Sequence, residues 1–554
     1  MYRKIGKWAV VLFALTLVFH MLDGVPRLSA AELMTALTGE KDKRPFDDIA
    51  GSFAEAAIIR LNEKKILQGT AERTFSPKNP VTRAEFITIA DRVLGLEQVQ
   101  SPIQPFSDVA QNAWYTGYVQ AAVQLGLADG TGPRTFEPAK PVTRQEAAAL
   151  LVRVFKLTAA SHGTLPAFND ANRIADWAKD AVAIAQDVGL MKGDDNGKFR
   201  PEAPLSREET AAILDRALQN KEWAADLAAK PQTKIQLGWQ YGQTTEQFEQ
   251  SVLRSKTVNT LSPRWYFTDK AGNLTDTTDS SLVTWASRNG KQVWAMVGNR
   301  SNMEATHQLL SSATTRNKLA ASLANVVQKN KLNGLNIDFE NVDPQDRANF
   351  TAFITLLGNK LHAIDAVLSV NVSPDLGTDW TEAFDFKALG LQADYIVMMG
   401  YDEHWEGGSV AGSVASLPYV EHAVTTLLKA VPADKIILAM PFYNRDWALN
   451  SNGSAASSAV LSLGEQNTLV SKRSIKLLWD STVGQYTGGY RLQNVQHRIW
   501  LEDGRSLSAK YKWAVDEQLA GLAYWYVSGE TPDIWSSLRN ADRFYGMSLG
   551  LTTP

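Results

Sequence analysis

Eight short runs rich in β-branched and aromatic residues alternate with helix-length segments in the C-terminal part of the chain. We predict strands at residues 235–239, 260–267, 292–297, 334–340, 368–372, 395–401, 436–440 and 521–526. Strands that alternate with helices form parallel sheets, so eight such units indicate a (β/α)8 barrel, the TIM-barrel fold, over residues 234–550. Active sites in such barrels lie at the carboxyl ends of the strands, and catalytic side chains are expected there.

The fourth run, residues 332–340, carries polar side chains at alternate positions and ends in two carboxyl groups. Because successive side chains on a strand point to opposite faces, Gly334, Asn336, Asp338 and Glu340 share one face. Ionisable groups facing a barrel interior are costly to bury without partners, so Asp338 and Glu340 are a candidate pair for proton transfer. An amphipathic strand with one solvated face is the alternative interpretation.

This segment resembles the catalytic strand of family 18 glycoside hydrolases, whose pattern is Asp-x-x-Asp-x-Asp-x-Glu. The first two acidic positions are Asn333 and Asn336 here, whereas Asp338 and Glu340 are retained. The resemblance implies that Glu340 protonates the glycosidic oxygen and then activates water, while Asp338 holds the acetamido group whose oxygen attacks the anomeric carbon. It also implies substrates with an N-acetyl group at the cleaved sugar. Asn336 and Tyr401 complete the expected catalytic set.

Other predicted strands end in residues that are similar to the same family. Strand six ends in Met-Gly-Tyr-Asp at 399–402, like the family's Met-x-Tyr-Asp, in which the tyrosine hydroxyl contacts the acetamido oxygen. Strand seven ends in Pro-Phe-Tyr-Asn-Arg at 441–445, and strand eight carries Trp525, which matches the tryptophan beneath the sugar. The resemblance implies substrate contacts from Asp402, Glu403, Trp405, Tyr443, Arg445, Trp525 and Trp239.

A long stretch of sequence separates strands seven and eight. Because about seventy residues are too many for a bare loop, we predict a small α+β insertion at 448–515 that forms one wall of the cleft. Its run Trp-Leu-Glu-Asp at 500–503 resembles the bacterial cell-wall branch of the family, which includes spore cortex-lytic enzymes. For Trp265, Trp294 and Trp447, core packing and a distant subsite both stay open. The seven histidines form no His-x-x-His or Glu-x-x-His pair near the strand ends, so no metal or other cofactor is expected.

A unit of about sixty residues occurs three times nearer the N-terminus. Each copy opens on Phe-x-Asp, continues through a helix-like stretch and a turn to Phe-x-Pro, and ends in a second helix. These second helices start at Thr82, Thr143 and Ser206, each followed three residues later by Glu in a capping-box pattern. Each also has an arginine at its first position, where a cation is mildly unfavourable, so an anionic partner is expected. Three solvated arginines are the alternative.

The repeats resemble S-layer homology modules, at residues 44–97, 104–158 and 166–218. The resemblance implies an all-α trimer of modules, a pseudo-threefold helical prism, that binds a pyruvylated secondary cell-wall polymer. By position, the residues expected to contact that polymer are Arg83, Arg144 and Arg207 at its ketal carboxylate, with Asp48, Asp108, Asp170, Trp114 and Trp177 shaping the grooves. The first module has Phe53 near the position of the tryptophans.

The N-terminus and the composition indicate export. Basic residues precede an apolar run and small residues, so residues 1–31 are interpreted as a secretory signal peptide, with an uncleaved anchor as the alternative. The chain has no cysteine, and its net charge of −3 argues against general nucleic-acid binding. We expect a monomer, secreted to the cell surface or wall of a Gram-positive-type bacterium, with residues 219–233 as a linker between modules and barrel.

Together these features predict a wall-anchored hydrolase of β-linked N-acetylglucosamine polymers, with peptidoglycan favoured. Three alternatives stay open: a chitinase acting on chitin or chitooligosaccharides, a non-catalytic sugar-binding barrel, and a structural S-layer protein. The substitutions at Asn333 and Asn336 favour the non-catalytic barrel, whereas the retained Glu340 argues against it.

Overall fold

The structure is a computed structural model of the 554-residue chain, and it describes residues 44–158, 167–230, 234–375, 377 and 379–549. The expected signal peptide at 1–31 and residues 231–233 of the expected linker lie outside the described residues. None of the helices in those ranges combines the length and the apolar character that crossing a membrane requires.

Three helix pairs make up the N-terminal part. They are α1 (Glu55–Glu63) with α2 (Arg83–Leu94), α3 (Thr116–Gln124) with α4 (Arg144–Val154), and α5 (Lys179–Asp187) with α6 (Arg207–Gln219). The second helix of each pair begins with a complete capping box, at Thr82, Thr143 and Ser206. Each box satisfies backbone amides that the first helical turn would otherwise leave unpaired.

The three pairs close into a ring through backbone hydrogen bonds. Val81 N donates to Leu205 O, Val142 N to Val81 O and Leu205 N to Val142 O, at 2.9, 3.0 and 2.8 Å. All three side chains are fully buried. Each helix pair therefore contacts both others around a pseudo-threefold axis, and residues 44–219 are called the module ring below.

The segment expected to be a linker is largely helical. Helix α7 (Lys221–Ala228) follows α6 directly and is capped by Asn220. Its Trp223 is buried and stacks on Phe155, with the ring centroids 5.3 Å apart. Burial of that aromatic surface stabilises the helix against the ring, which the polar and Ala-rich composition of the segment did not indicate.

The C-terminal part contains the barrel and an antiparallel sheet. Its strands are β1 (Ile235–Gln240), β2 (Thr260–Pro263), β3 (Tyr266–Thr268), β4 (Leu274–Asp276), β5 (Gln292–Gly298), β6 (Gly334–Asp338), β7 (Val367–Val372), β8 (Tyr395–Met399), β9 (Ile436–Pro441), β10 (Tyr443–Leu449), β11 (Ala455–Ser462), β12 (Leu478–Asp480), β13 (Gln485–Leu492), β14 (Val495–Trp500) and β15 (Gly521–Trp525). Its helices are α8 (Thr245–Ser255), α9 (Ser280–Arg288), α10 (Met303–Ser311), α11 (Ala313–Asn330), α12 (Arg347–His362), α13 (Phe386–Gln392), α14 (Leu417–Leu428), α15 (Leu463–Arg473), α16 (Gly504–Asp516) and α17 (Pro532–Tyr545).

The predicted (β/α)8 barrel is confirmed. Strands β1, β2, β5, β6, β7, β8, β9 and β15 pair in parallel, and pairing of β2 with β5 closes the cylinder. β6 and β8 each end two residues earlier than predicted, at Asp338 and Met399, so Glu340 and Tyr401 lie in the loops just beyond. The predicted second strand is split, because the chain leaves β2 after Pro263 and returns as β3 beside β5.

The antiparallel sheet has the order β11-β10-β14-β13-β12 and lies between β9 and α16. Together with α15 it covers residues 443–500, so it begins and ends earlier than the predicted insertion at 448–515. The difference at its end arises because α16 packs on α14 and α17 as one of the outer helices of the barrel.

The module ring packs directly on the barrel through α17. The guanidinium of Arg539 donates two hydrogen bonds to the carboxylate of Glu97, at 2.7 and 2.6 Å. The side chain of Asn540 pairs with the backbone of Glu97, and Lys156 donates to the carbonyl of Tyr545 at 3.2 Å. One continuous hydrophobic cluster runs through both parts, so ring and barrel share a core.

Candidate active site

Asp338 ends β6 inside the mouth of the barrel and is only 8% exposed. The side-chain amide of Asn371 donates to its Oδ1 at 2.8 Å. Burial and the neighbouring charge of Glu340 raise the pKa of Asp338 to about 7, against the opposing effects of Asn371 and the charge of Arg264. Because that pKa lies near neutrality, the Asp338 carboxyl can hold or release a proton under ordinary conditions.

A chain of side-chain amides supports this carboxyl group from below. Asn336 is fully buried, and its Oδ1 accepts from Trp239 Nε1 at 2.9 Å. Its Nδ2 donates to Asn371 Oδ1 at 2.7 Å and to Ser369 Oγ at 3.0 Å. A carboxylate at position 336 could not donate these bonds. The amide therefore orients Asn371 so that its own Nδ2 faces Asp338, and a second acid is not needed to hold the group.

Trp239 lies in the protein interior, whereas it was predicted to contact the substrate. It is fully buried, and its ring meets the edge of Trp525 at a centroid distance of 5.7 Å. A sugar in the cleft cannot contact it, so the prediction of direct substrate contact by Trp239 is wrong. Three other tryptophans are core residues, since Trp265, Trp294 and Trp447 are 5%, 2% and 1% exposed.

Glu340 lies two residues beyond Asp338, at the half-buried edge of the cleft. Ser301 Oγ donates to its Oε2 at 2.8 Å. The side chain of Asn299 accepts from the backbone amide of Glu340 at 3.1 Å and donates to its carbonyl at 2.7 Å. The carboxyl group is thus fixed through both its side chain and its backbone, while Oε1 has no hydrogen-bond partner among the described residues. This is the geometry that a general acid requires.

Two tyrosines approach the same space from β8 and β10. Tyr401 is buried, and burial together with the charge of Asp338 raises its pKa well above the usual range. Tyr443 donates its hydroxyl to Asp402 Oδ1 at 2.5 Å, and burial raises its pKa in the same direction. Both phenols therefore stay protonated and remain hydrogen-bond donors at the end of the barrel.

The other predicted substrate contacts separate into two groups. Trp405 is 55% exposed and Trp525 is half-buried beside Tyr241, so both present aromatic surface to the cleft. Glu403 instead accepts from the backbone amide of Ser416 at 2.8 Å, the residue that caps α14. That contact gives Glu403 a structural role, and its substrate contact stays a prediction.

Arg445 is also held within the protein. It is 8% exposed, and its guanidinium donates to Ser458 Oγ at 3.0 Å across the β10–β11 pair. Its charge lies 3.9 Å from Glu406 in the loop after β8. Arg445 therefore joins the antiparallel sheet to that loop, and little of its surface is left for a sugar.

Several residues of the site were not foreseen from the sequence, namely Asn299, Ser301, Ser369 and Asn371. Ser369 and Asn371 occupy alternate positions of β7, and the polar alternation of that run was the available indication. Among the residues that the structure describes, no group of three or more His, Asp or Glu side chains could hold a metal ion.

The helix-start arginines of the module ring are mostly paired inside the protein. Arg207 binds Glu85 Oε1 at 3.1 Å, and Arg144 binds Glu209 Oε1 at 3.0 Å. Both arginines are more than nine-tenths buried and also donate to carbonyls of the next module. A neighbouring capping glutamate therefore supplies an anionic partner for each of these two arginines. Arg207 also lines a cavity beside Trp114, and Arg144 one beside Phe53, so their contact with a polymer carboxylate stays a prediction. Arg83 is half-buried and donates only to carbonyls, without an ion pair in the described part of the chain.

The three aspartates of the Phe-x-Asp motifs also have structural roles. Asp48 accepts from the amides of Phe75 and Ser76 at 2.8 and 2.7 Å. Asp108 and Asp170 hold the equivalent turns of the second and third modules in the same way. They fix the Phe-x-Pro turn, and their part in shaping the polymer grooves stays a prediction.

The exposed aromatic residues of the ring are the better candidates for sugar contact. Trp114, Trp177 and Phe53 are 59%, 61% and 68% exposed. Trp114 lines a cavity of about 370 Å³ together with Arg92 and Gln68. Apolar faces of sugars stack on such rings, so the grooves between modules can accept a saccharide.

Comparison with known proteins agrees with this architecture. Residues 261–530 match the family model described as Glycosyl hydrolases family 18, and residues 45–87, 105–148 and 167–211 match the S-layer homology domain. The cortical fragment-lytic enzyme of Bacillus cereus is 27% identical over 287 residues, which are 49% of this chain and 66% of that protein. The surface-layer 125 kDa protein of Lysinibacillus sphaericus is 35% identical over 199 residues, which are 35% of this chain and 16% of that protein.

The fold has solved counterparts. A chitinase crystal structure from Chromobacterium violaceum ATCC 12472 superposes with a TM-score of 0.51 at 23% identity, covering 56% of this chain and 98% of that chain. The matched segments span less than two thirds of the length of the two relatives above. The chain thus carries three S-layer homology domains followed by a glycosyl hydrolases family 18 domain, and through that domain it is a glycoside hydrolase.

Proposed function

We propose that the protein cleaves β-linked N-acetylglucosamine polymers of the bacterial cell wall, peptidoglycan before chitin, while its module ring binds a wall polymer at the cell surface. The observation that carries the proposal is the pair at the end of β6: a fixed Glu340 beside Asp338, whose pKa of about 7 is held there by burial and Glu340. Tyr401, which burial keeps protonated, lies close enough to both carboxyl groups for their charges to act on it, and Tyr443 bonds to the neighbouring Asp402.

The proposed mechanism is substrate-assisted. Glu340 donates its proton to the glycosidic oxygen as the bond to the anomeric carbon breaks, and the acetamido oxygen of the same sugar forms a new bond to that carbon. Asp338 accepts a hydrogen bond from the acetamido N–H and Tyr401 donates one to the acetamido oxygen. Glu340 then takes a proton from water, which opens the cyclic intermediate and leaves the sugar with its original configuration.

The names of two relatives support the proposed location. One relative is called a cortical fragment-lytic enzyme and another a surface-layer protein, and the second is 35% identical over 199 residues. Export of the chain, as a monomer, to the surface of a Gram-positive-type bacterium belongs to the same proposal. Chitooligosaccharides remain the second candidate substrate, favoured by the exposed aromatic surfaces of Trp405 and Tyr241 in and beside the cleft.

The test is digestion of purified peptidoglycan and of chitooligosaccharides, with mass spectrometry of the released fragments. We expect muropeptides ending in reducing N-acetylglucosamine, and a loss of about 10²–10⁴-fold in rate for Glu340→Gln, because the amide cannot donate the proton. Glu517→Gln, at the opposite end of the barrel just before β15, is the matched control. A folded Glu340→Gln protein with wild-type turnover would contradict the assignment.

A further inference from the structure

Two arginines follow barrel strands at the cleft and are absent from the catalytic set. Arg264 comes directly after β2, and Arg300 lies two residues beyond β5. Parallel strands present their carboxyl ends on the same side of the barrel, so both guanidinium groups lie on the side of the barrel where β6 presents Asp338.

Arg264 lies against the aromatic floor of the cleft. Its guanidinium carbon is 5.0 Å from the ring centroid of Tyr241, 5.5 Å from that of Phe267 and 5.8 Å from that of Trp525. It is also close enough to Asp338 for its charge to act on that carboxyl group. The cation therefore stands beside the surface on which the sugar is proposed to stack.

Arg300 stands over Phe267 as well, with its guanidinium carbon 4.1 Å from the ring centroid. The next residue, Ser301, is the one that donates to Glu340. Arg300 and Ser301 both have left-handed backbone angles, with φ of 56° and 51°, and Asn299 holds the turn through Glu340. Arg300 is thus fixed at its backbone beside the catalytic acid, while its side chain is exposed.

Neither guanidinium has a hydrogen bond or an ion pair with any residue in the described ranges. The Nε of Arg264 is buried without a partner. Buried donors of charged groups are normally satisfied, and an unpaired guanidinium is well suited to bind a carboxylate. Arg445 nearby also has a buried Nε without a partner, but its Nη1 donates to Ser458 within the protein. Two unpaired cations at one rim of a cleft are an arrangement that favours an anionic substrate.

We propose that Arg264 and Arg300 bind a carboxylate on the lactyl-peptide arm of a muramic acid residue next to the cleaved sugar, and so select peptidoglycan over chitin. The inference rests on the proposed function, because it assumes turnover at Glu340. Chitin is neutral throughout and offers these arginines no partner, whereas the muramic acid arm carries a carboxylate either on the lactyl group or in the peptide. A site built to pair with a charged group discriminates strongly against a ligand that lacks it.

The test measures kcat/KM on three soluble substrates: chitooligosaccharides, wall glycan strands stripped of peptide, and strands that keep their peptides. The readout is the ratio of the rate on each wall strand to the rate on chitooligosaccharide. We expect Arg300→Gln and Arg264→Gln each to lower that ratio about tenfold, because each removes one charge-assisted hydrogen bond. Arg264→Lys keeps the charge and should retain most of the preference, and Arg288→Gln, at the far end of the barrel on α9, is the control expected to change nothing.

The outcomes are distinguishable. A lower ratio on both wall substrates supports the inference with the lactyl carboxylate as partner, and a lower ratio only on peptide-bearing strands supports it with a peptide carboxylate. Wild-type ratios in both Gln variants, with peptidoglycan still cleaved, would overturn this inference and leave the proposed function standing. A wild-type protein that cleaves chitooligosaccharides and leaves both wall substrates intact would instead overturn the proposed substrate, and this inference with it.

Discussion

Removal of the Arg207 side chain tests whether the arginines at the helix starts hold the module ring together or bind a wall polymer. In Arg207→Ala the ring loses an ion pair with Glu85, in which the arginine side chain is 6% and the glutamate 25% exposed. It also loses bonds to the carbonyls of Phe75 and Gln68 and a cation–π contact at 4.6 Å. Breaking a buried pair destabilises by about 3–5 kcal/mol, and the lower end applies here because Glu85 keeps its bonds to Thr82.

We therefore expect Arg207→Ala to reduce the free energy of unfolding of the ring by about 3 kcal/mol, or its midpoint temperature by roughly 6–12 °C. Arg83→Ala, which removes two bonds to carbonyls and a cation–π contact with Phe136 but no ion pair, should reduce it by about 2 kcal/mol. Arg173→Ala is the control, since it breaks an exposed pair with Glu202 and should change stability very little.

The assay is thermal unfolding of the full-length chain together with hydrogen exchange of residues 66–82 and 205–212, and pelleting with purified cell walls in parallel. Faster exchange in both segments is expected, because Arg207 joins the third module to the first. An Arg207→Ala protein that exchanges and unfolds like wild type yet no longer pellets with walls would contradict the structural role given to Arg207.

Four further predictions concern the barrel. Asn371→Ala removes the amide that favours the ionised form of Asp338, so the pKa of Asp338 should rise. The limb of the kcat/KM pH profile that reports Asp338 should therefore move to higher pH. A limb that stays in place would contradict the role given to the amide. Because folding raises the pKa of Asp338 to about 7, the contribution of this carboxyl group to the free energy of unfolding falls as pH rises from about 4 to 7. Denaturant unfolding of Asp338→Asn at several pH values should show that this pH dependence is lost. Lys510→Met leaves Glu502 buried and unpaired and should destabilise by about 3–5 kcal/mol in denaturant unfolding, whereas Lys512→Met, in an exposed pair, should change stability by less than about 1 kcal/mol. Proton NMR of the first product from a β-linked substrate should show the β-anomer, and an initial α-anomer would exclude the substrate-assisted path.

The parts that the sequence predicted correctly are those with a local pattern. Alternation along 332–340 assigned Asp338 and Glu340 to one face, and the structure has Asp338 inside the barrel with Glu340 just beyond the strand. The barrel followed from the repeated strand and helix lengths. Both patterns can be detected because neighbouring residues in the chain share one periodic environment.

The parts that the sequence missed depend on contacts between distant segments. Arg207 pairs with Glu85, 122 positions away in the chain, and nothing near Arg207 identifies that partner. Asn371 reaches Asp338 from the adjacent strand, 33 positions away. The family resemblance implied that Trp239 contacts the sugar, whereas Trp239 is buried and packs against Trp525, the residue expected to contact the sugar. Ring closure and strand register determine these contacts, and both are properties of the assembled fold.

The direct packing of α17 on the module ring fixes the orientation of the cleft relative to the ring. A catalytic domain on a flexible tether samples a sphere of positions, and the local substrate concentration is averaged over that volume. Here the bond between Arg539 and Glu97 and the shared hydrophobic cluster hold the cleft at one distance and one angle from the grooves of the ring. If the ring binds a wall polymer as proposed, the cleft can therefore meet glycan strands only at one depth of the wall, and the ring limits the thickness of the wall layer that the cleft reaches.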